Sequence, residues 1–321
     1  MRALSLFCGA GGMDLGFKQA GFQITWANDI NQYAVKTYEG NLGLKPLCKN
    51  IASVRAFPPA EVVLGCNPCQ GYSVAGKRDP KDPRNYLYRE VVRCLKQVQP
   101  QLFVVENVKG LATLYQGKFL RLILKSFEKA GYNVYHELLN AKHYGAPQDR
   151  ERIFIVGVRK DIPTKYAFPN RTHGPGFRPY VTLREALHGL RISLPKEEYY
   201  DGPFRFYYMS RNRRRGWNEV SYCIQSHAEW IPLHPSSPRM VFKSKDHWAF
   251  TDRRSRYRRL SPRECARIQT FPDTFEFYGP LQSRYRQIGN AVPPRLARVI
   301  ARSLLEVATA KEFPEAALPH S

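Results

Sequence analysis

In Glu61-Val62-Val63-Leu64-Gly65-Cys66-Asn67-Pro68-Cys69-Gln70-Gly71-Tyr72-Ser73 an apolar run gives way to residues that break regular structure. The run predicts a short buried strand over residues 61–66, and Pro68 and Gly71 forbid its continuing as strand or helix. Cys69 is thereby held on a loop at a strand's end. In open α/β sheets that end is where ligands bind, which places Cys69 to act as a nucleophile. Cysteine is as often a small buried hydrophobe, so the placement gains weight only from its company. Cys66 and Cys69 also form a Cys-x-x-Cys pair. No second pair or histidine at ligand spacing completes four zinc ligands, so no metal is expected.

Working outward, residues 3–7 are a short apolar run that leads into Cys8-Gly9-Ala10-Gly11-Gly12, and residues 13–20 have helical spacing. Strand, glycine turn and helix in that order let backbone amides approach an anionic or polar cofactor. An ordinary βα turn looks the same, and the full dinucleotide fingerprint is missing. A second strand over 22–27 ends in Asn28-Asp29, where an acidic residue is the usual partner of ribose hydroxyls. Residues 31–38 predict a helix, 47–51 a short third strand and its loop, and 86–98 an amphipathic helix. A buried strand over 102–105 delivers Glu106-Asn107 to the same edge as Cys69. A helix over 119–130, a strand over 132–139, and Gln148-Asp149-Arg150-Glu151-Arg152 opening a last strand over 153–157 complete the alternation. This is an α/β pattern and implies a parallel sheet. Residues 76–84 are polar and proline-rich, a basic lid beside Cys69.

Past residue 161 the texture changes to a proline-rich linker, a short helix over 181–190, and an Arg- and aromatic-rich stretch over 201–257 with the look of a small β-rich binding domain. Ser261-Pro262-Arg263-Glu264 has capping-box form and starts a helix through 268. Residues 287–294 read as a turn into a C-terminal helix over 295–308. Lys plus Arg number 50 against 27 Asp plus Glu, a net charge of +23, which makes a polyanion the natural partner. Residues 201–260 hold 13 basic and 5 acidic side chains, an electrostatic footprint for phosphates. No signal peptide or apolar run of membrane-spanning length is present, and seven cysteines without a disulfide framework suit a reducing compartment. A soluble cytoplasmic monomer is expected.

Taken together, Phe7-Cys8-Gly9-Ala10-Gly11-Gly12, Pro68-Cys69-Gln70, Glu106-Asn107-Val108, Gln148-Asp149-Arg150-Glu151-Arg152, Arg259-Leu260-Ser261-Pro262-Arg263-Glu264 and Gly289-Asn290-Ala291-Val292-Pro293 resemble the motifs of DNA cytosine-5 methyltransferases, in order and spacing over nearly the whole chain. The resemblance implies a Rossmann-like S-adenosylmethionine-binding sheet over residues 1–178, completed by 285–321, and a smaller target-recognition domain over 179–284. It carries cofactor contacts to Phe7, Gly9, Gly11, Asp29, Ile30, Asn50, Ile51 and Asn290. The family usually has Asp where this chain has Asn50. The Asn carbonyl accepts the same hydrogen bond, so weakened rather than lost cofactor binding is expected.

The chemistry suits these residues. Cytosine carbon-5 becomes enamine-like once a Cys69 thiolate adds to carbon-6. Positive charge raises the thiolate fraction, and Arg150 and Arg152 are the candidates. By resemblance Glu106 donates a proton at the nitrogen-3 edge and Arg152 faces oxygen-2, each where charge develops. The target base must leave the duplex, and Gln70, Ser73 and Lys77 are candidate DNA contacts for that step. The stretch from Met209 to Pro235 resembles the recognition region of GGCC methylases, with Arg211, Arg213 and Arg215 as candidate readers. Glu229 stands where that subgroup tends to carry a guanine-reading Arg, a swap that could change the base read. Duplex DNA is the expected partner, with a cognate restriction endonuclease alongside. The competing readings are a tRNA cytosine-5 methylase of the same fold and a catalytically idle DNA-binding regulator.

Overall fold

The computed structural model describes residues 1–68, 82–252 and 257–309. Its first half comprises β1 (Arg2–Leu6), α1 (Gly12–Gln19), β2 (Gln23–Asp29), α2 (Gln32–Leu42), β3 (Leu47–Cys48), β4 (Val62–Gly65), α3 (Tyr88–Val98), β5 (Leu102–Val108), the single turn α4 (Gly110–Thr113), α5 (Lys118–Lys129), β6 (Tyr132–Asn140), β7 (Gln148–Asp149) and β8 (Glu151–Arg159). Seven of these strands form one sheet in the order β3-β2-β1-β4-β5-β8-β6. Strand residues alternate between two apolar layers. Val62 and Leu64 of β4, with Leu102 and Val104 of β5, share a core with Met13 and Phe17 of α1. Val63, Phe103 and Val105 face the other way, onto Val91 and Leu95 of α3 and Ile123 and Phe127 of α5. A sheet covered on both faces needs strands that are apolar throughout, and that is why β4 and β5 read as unbroken runs.

The sheet is not wholly parallel, as the βα alternation predicted. Strand β8 runs antiparallel to both neighbours, β5 and β6. The link from β6 to β8 has no crossover helix, only a 3-10 turn (Ala141–Tyr144) and β7, so the chain can only double back. The expected third strand over 47–51 shrinks to β3, after which Asn50 caps a 3-10 turn, Ile51–Ser53.

The second half contains α6 (Leu183–Ala186), α7 (Phe206–Met209), β9 (Ser221–Tyr222), β10 (Met240–Ser244), β11 (His247–Phe250), α8 (Pro262–Ile268), α9 (Leu281–Asn290) and α10 (Pro294–Thr309). Among the described residues, strand in the Arg-rich stretch is confined to β9, β10 and β11, less than the β-rich texture expected. Arginine side chains replace ladder bonds there. Arg214 donates to the carbonyls of Pro235 and Ser237, Arg258 to that of Ile192, and Arg259 to those of Gly202 and Pro203. Residues 287–290, read as a turn, instead finish helix α9, whose Tyr285 and Ile288 pack with Leu260 and Ile268. Helix α10 returns to the large sheet, setting Leu296, Ala297, Ile300 and Leu304 in the core that holds Met13 and Phe17. Among the described residues no helix is long and apolar enough to cross a membrane.

The capping box at Ser261 forms as read, and Glu264 does more than cap. Arg258 grips its carboxylate with two bonds of 2.7 and 2.8 Å, and His234 Nε2 lies 3.4 Å from Oε1, all buried. Burial, with Arg258 beside it, pushes His234 down to about 4. The unfolded chain then takes up that proton near pH 6.5 while the folded one resists it. Stability from this site is therefore complete above pH 6.5 and is lost as pH falls toward 4. Asp14, buried and raised to about 6, has the opposite slope because its folded form binds the proton first. A His234→Gln protein isolates the histidine. Relative to it, the unmodified chain is expected to lose about 2 kcal/mol between pH 7 and pH 5 in urea unfolding; parallel curves would refute the assignment.

Candidate active site

The carboxyl edge of β1, β2, β4 and β5 gathers the expected residues. Strand β1 ends at Leu6, and the chain turns left-handed at Phe7 (φ 56°), Gly9 (φ 55°) and Gly11 (φ 85°) before α1. For the non-glycine Phe7 this conformation is strained by about 1–2 kcal/mol, a cost typical of functional turns. The Gly9 amide donates 2.9 Å to Asp29 Oδ2, and Asn31 donates 2.8 Å to Oδ1. Burial raises the Asp29 carboxyl, and those amides oppose the rise. Beside it Ile30 stands 69 % exposed, an apolar surface left uncovered at the strand end. Asn28 ties this edge to the next loop by donating to the carbonyls of Leu47 and Lys49. Asn50 Oδ1 already accepts from the Ala52 amide at 3.0 Å, which leaves one lone pair for a ligand. Ile51 is buried beneath it, and Asn290 is exposed at the last position of α9.

These residues fit an adenosyl cofactor. Among the described residues, its chain neighbours aside, no atom lies within 4 Å of where a side chain at Gly9 would begin, so the turn offers open space, with a carboxylate and an exposed isoleucine beside it.

Cys69, Gln70, Ser73 and Lys77 lie outside the described residues. The chain leading to them is held, since Asn107 Nδ2 donates to the Asn67 carbonyl at 3.4 Å. On the neighbouring strand Glu106 is buried, with Arg152 Nε 3.0 Å from its Oε1. The antiparallel course of β8 makes this contact. Glu106 faces Phe154 and Val108 faces Arg152, so the two charged residues are diagonal partners on one face. Burial raises the Glu106 carboxyl above its usual range, and the charges of Arg152 and Arg150 pull against it.

Arg150, expected as a second cation at the site, is held by backbone carbonyls. It is 1 % exposed, and it donates to the Ile224 carbonyl at 3.1 Å, the Gly289 carbonyl at 3.0 Å and the Ala291 carbonyl at 2.9 Å. It joins β8 to the segment after β9 and to the end of α9. That junction is tight enough that a Cβ at Gly289 would overlap the Gln225 carbonyl, the reason for a glycine there.

Of the candidate DNA readers, Arg213 turns inward, contrary to expectation. It donates to the carbonyls of Tyr207 and Tyr208 and lies over the Tyr208 and Trp230 rings; burial, with Arg211 adding to it, lowers its pKa to about 10. Arg211 is exposed. Arg215 lies over Tyr222 and pairs with Glu219 at 2.9 Å. Glu229 is exposed and, with His227, Gln282 and Arg286, lines a cavity of about 150 Å³. Sequence reading missed Cys223, whose sulfur touches both Arg150 and Arg152. Nothing in its spacing from other motifs signals it.

A family model described as C-5 cytosine-specific DNA methylase matches residues 1–306. The chain belongs to that family. It is 43 % identical to the Type II methyltransferase M.BspRI of Lysinibacillus sphaericus, over 95 % of this chain and 81 % of that one. It is 41 % identical to M.BsuRI of Bacillus subtilis, over 94 % and 78 %. The S. pombe Dnmt2 methyltransferase superposes with a TM-score of 0.70 over 98 % of this chain and 100 % of that one; at 18 % identity the likeness concerns the fold alone. The C-5 cytosine-specific DNA methylase therefore acts on DNA with S-adenosylmethionine as methyl donor.

Proposed function

We propose that this methylase works through a covalent Cys69 adduct on an everted cytosine within a short GC-rich palindrome. The observation that carries the reading is the pairing of buried Glu106, on the strand next to the one that leads into Cys69, with Arg152 of β8. S-adenosylmethionine, when bound, supplies an electrophilic methyl group. Phe7, Gly9, Gly11, Asp29, Ile30, Asn50, Ile51 and Asn290 hold it. Cys69 adds as a thiolate to carbon-6 of the base, and once carbon-5 carries the methyl group, loss of the carbon-5 proton to a base such as water and expulsion of the thiolate restore the ring and free the cysteine. As negative charge builds on the ring, Glu106 gives its proton at nitrogen-3, which its raised pKa favours, and Arg152 holds Glu106 in place and faces oxygen-2. Arg150 is a strut, not a participant.

Residues 1–178 with 285–321 form the catalytic unit, and 179–284 the recognition unit. Gln70, Ser73 and Lys77 contact DNA during base eversion, and Arg211, Arg215 and Glu229 face it from the recognition unit. A companion restriction endonuclease, a monomeric state and a cytoplasmic location complete the reading. The test uses duplexes carrying 5-fluorocytosine, with S-adenosylmethionine present. A denaturation-stable protein–DNA adduct whose linked peptide contains Cys69 is expected, and adduct-free methylation products would reject the covalent route. Bisulfite sequencing of a methylated plasmid reads the target, and marks scattered over AT-rich sites would remove the palindrome.

A further inference from the structure

Cys223 lies just past β9, between two guanidinium groups. Arg150 Nη1 is 3.4 Å from its sulfur and Arg152 Nη2 4.0 Å. The thiol itself donates toward the Ile224 carbonyl, 3.7 Å away. A continuous chain results, from the Glu106 carboxylate through Arg152, the Cys223 sulfur and Arg150 to the carbonyls of Gly289 and Ala291. Its ends are the proposed proton donor and the end of α9, where Asn290 sits. The other charged groups along this edge are Asp149, bonded to Lys142, and Glu151, bonded to Lys109, so neither carboxylate competes for the two arginines.

We infer that Cys223 is a positioning residue for methyl transfer, its sulfur holding Nη2 of the Arg152 guanidinium while the Glu151 carbonyl holds Nη1 at 2.7 Å, so that Nε stays against Glu106. This rests on the proposed role of the Glu106–Arg152 pair. The sulfur suits the task because it is a large, soft acceptor that reaches both cations at once, from the recognition segment into the catalytic sheet. The two arginines in turn act on the sulfur. Burial alone would push the thiol up, but their charges and hydrogen bonds together bring it below its ordinary value.

A Cys223→Val protein keeps the bulk and removes the acceptor. Its kcat is expected to fall about ten-fold, with KM for DNA and for cofactor within about two-fold and melting little changed, the pattern of a lost transition-state contact. Cys223→Ser, whose hydroxyl accepts from the same groups, should recover most of the rate. A Val variant with undiminished kcat, or a Ser variant no better than Val, overturns the inference. A second readout needs no turnover. Hydrogen exchange of the Arg152 Nε–H, followed by NMR in the free protein, should quicken about ten-fold in the Val variant and return in the Ser variant. Unchanged exchange overturns the positioning role even if the covalent route fails its own test, and quickened exchange supports it in that same case.

Discussion

A Glu106→Ala protein is expected to transfer methyl groups about 10³-fold more slowly than the unmodified enzyme, roughly 4 kcal/mol of barrier. The size follows from burial. A carboxyl with so little access to water has a poor solvent substitute when it is deleted, and the charge that builds on the ring then meets Arg152 alone of this pair. Glu106→Gln still offers an N–H to nitrogen-3 but has no proton to give, so its rate should fall between the two. The pH dependence has a sign as well. The protonated form of Glu106 is the active one, and its pKa is raised, so this side chain contributes a loss of kcat as pH rises through that raised value. Neither amide nor alanine titrates, so both variants should lack that component. Single-turnover rates on a duplex substrate measure all three proteins. A Glu106→Ala rate within ten-fold of the unmodified one would exclude the proton-donor role.

The parts of this site that were legible in the sequence are those fixed by local chemistry. The glycine turn between β1 and α1, a carboxylate at the end of β2 and the Ser261-Glu264 box are each specified by a few adjacent residues, and each forms as read. What escaped depends on contacts between distant segments. The reversal of β8 is invisible to apolar periodicity, because an antiparallel strand buried on both faces has the same pattern as a parallel one. Arg213 belongs to an Arg-rich run that reads as a solvated DNA face, yet carbonyls and aromatic rings contributed by residues 207, 208 and 230 draw it inward while Arg211 stays exposed. Cys223 has significance only because β9 pairs with β7, which brings it beside the Arg150 backbone. The same limit applies to Arg150 and Arg152. They are two apart and chemically identical, and only the break between β7 and β8 sends one into a strut and the other to Glu106.

That divergence makes the second large effect a dissociation of stability from rate. Arg150→Met removes the shared donor of three buried carbonyls, on Ile224, Gly289 and Ala291. The Gly289 carbonyl loses its side-chain donor, while that of Ala291 keeps only Gln269 Nε2 at 3.2 Å and that of Ile224 only the Cys223 thiol, and a lost partner in so buried a site costs about 1–3 kcal/mol. Their sum is discounted because a methionine fills part of the space and the chain relaxes, so a loss of about 3–5 kcal/mol is expected. At roughly 2–4 °C per kcal/mol for a chain of this size, melting should fall by roughly 10 °C. Arg152→Met is predicted to do the reverse. Its guanidinium is only partly buried, and its main partner is a carboxyl that burial already inclines toward the neutral form. Melting should therefore move by no more than about 3 °C while kcat falls about 10²-fold. Calorimetry and single-turnover kinetics on the two proteins decide the matter, with rates taken well below the lower melting point so that unfolding cannot imitate a chemical defect. If Arg150→Met melts with the unmodified enzyme and Arg152→Met does not, the strut has been assigned to the wrong arginine, and the chain through Cys223 must be read in the opposite direction.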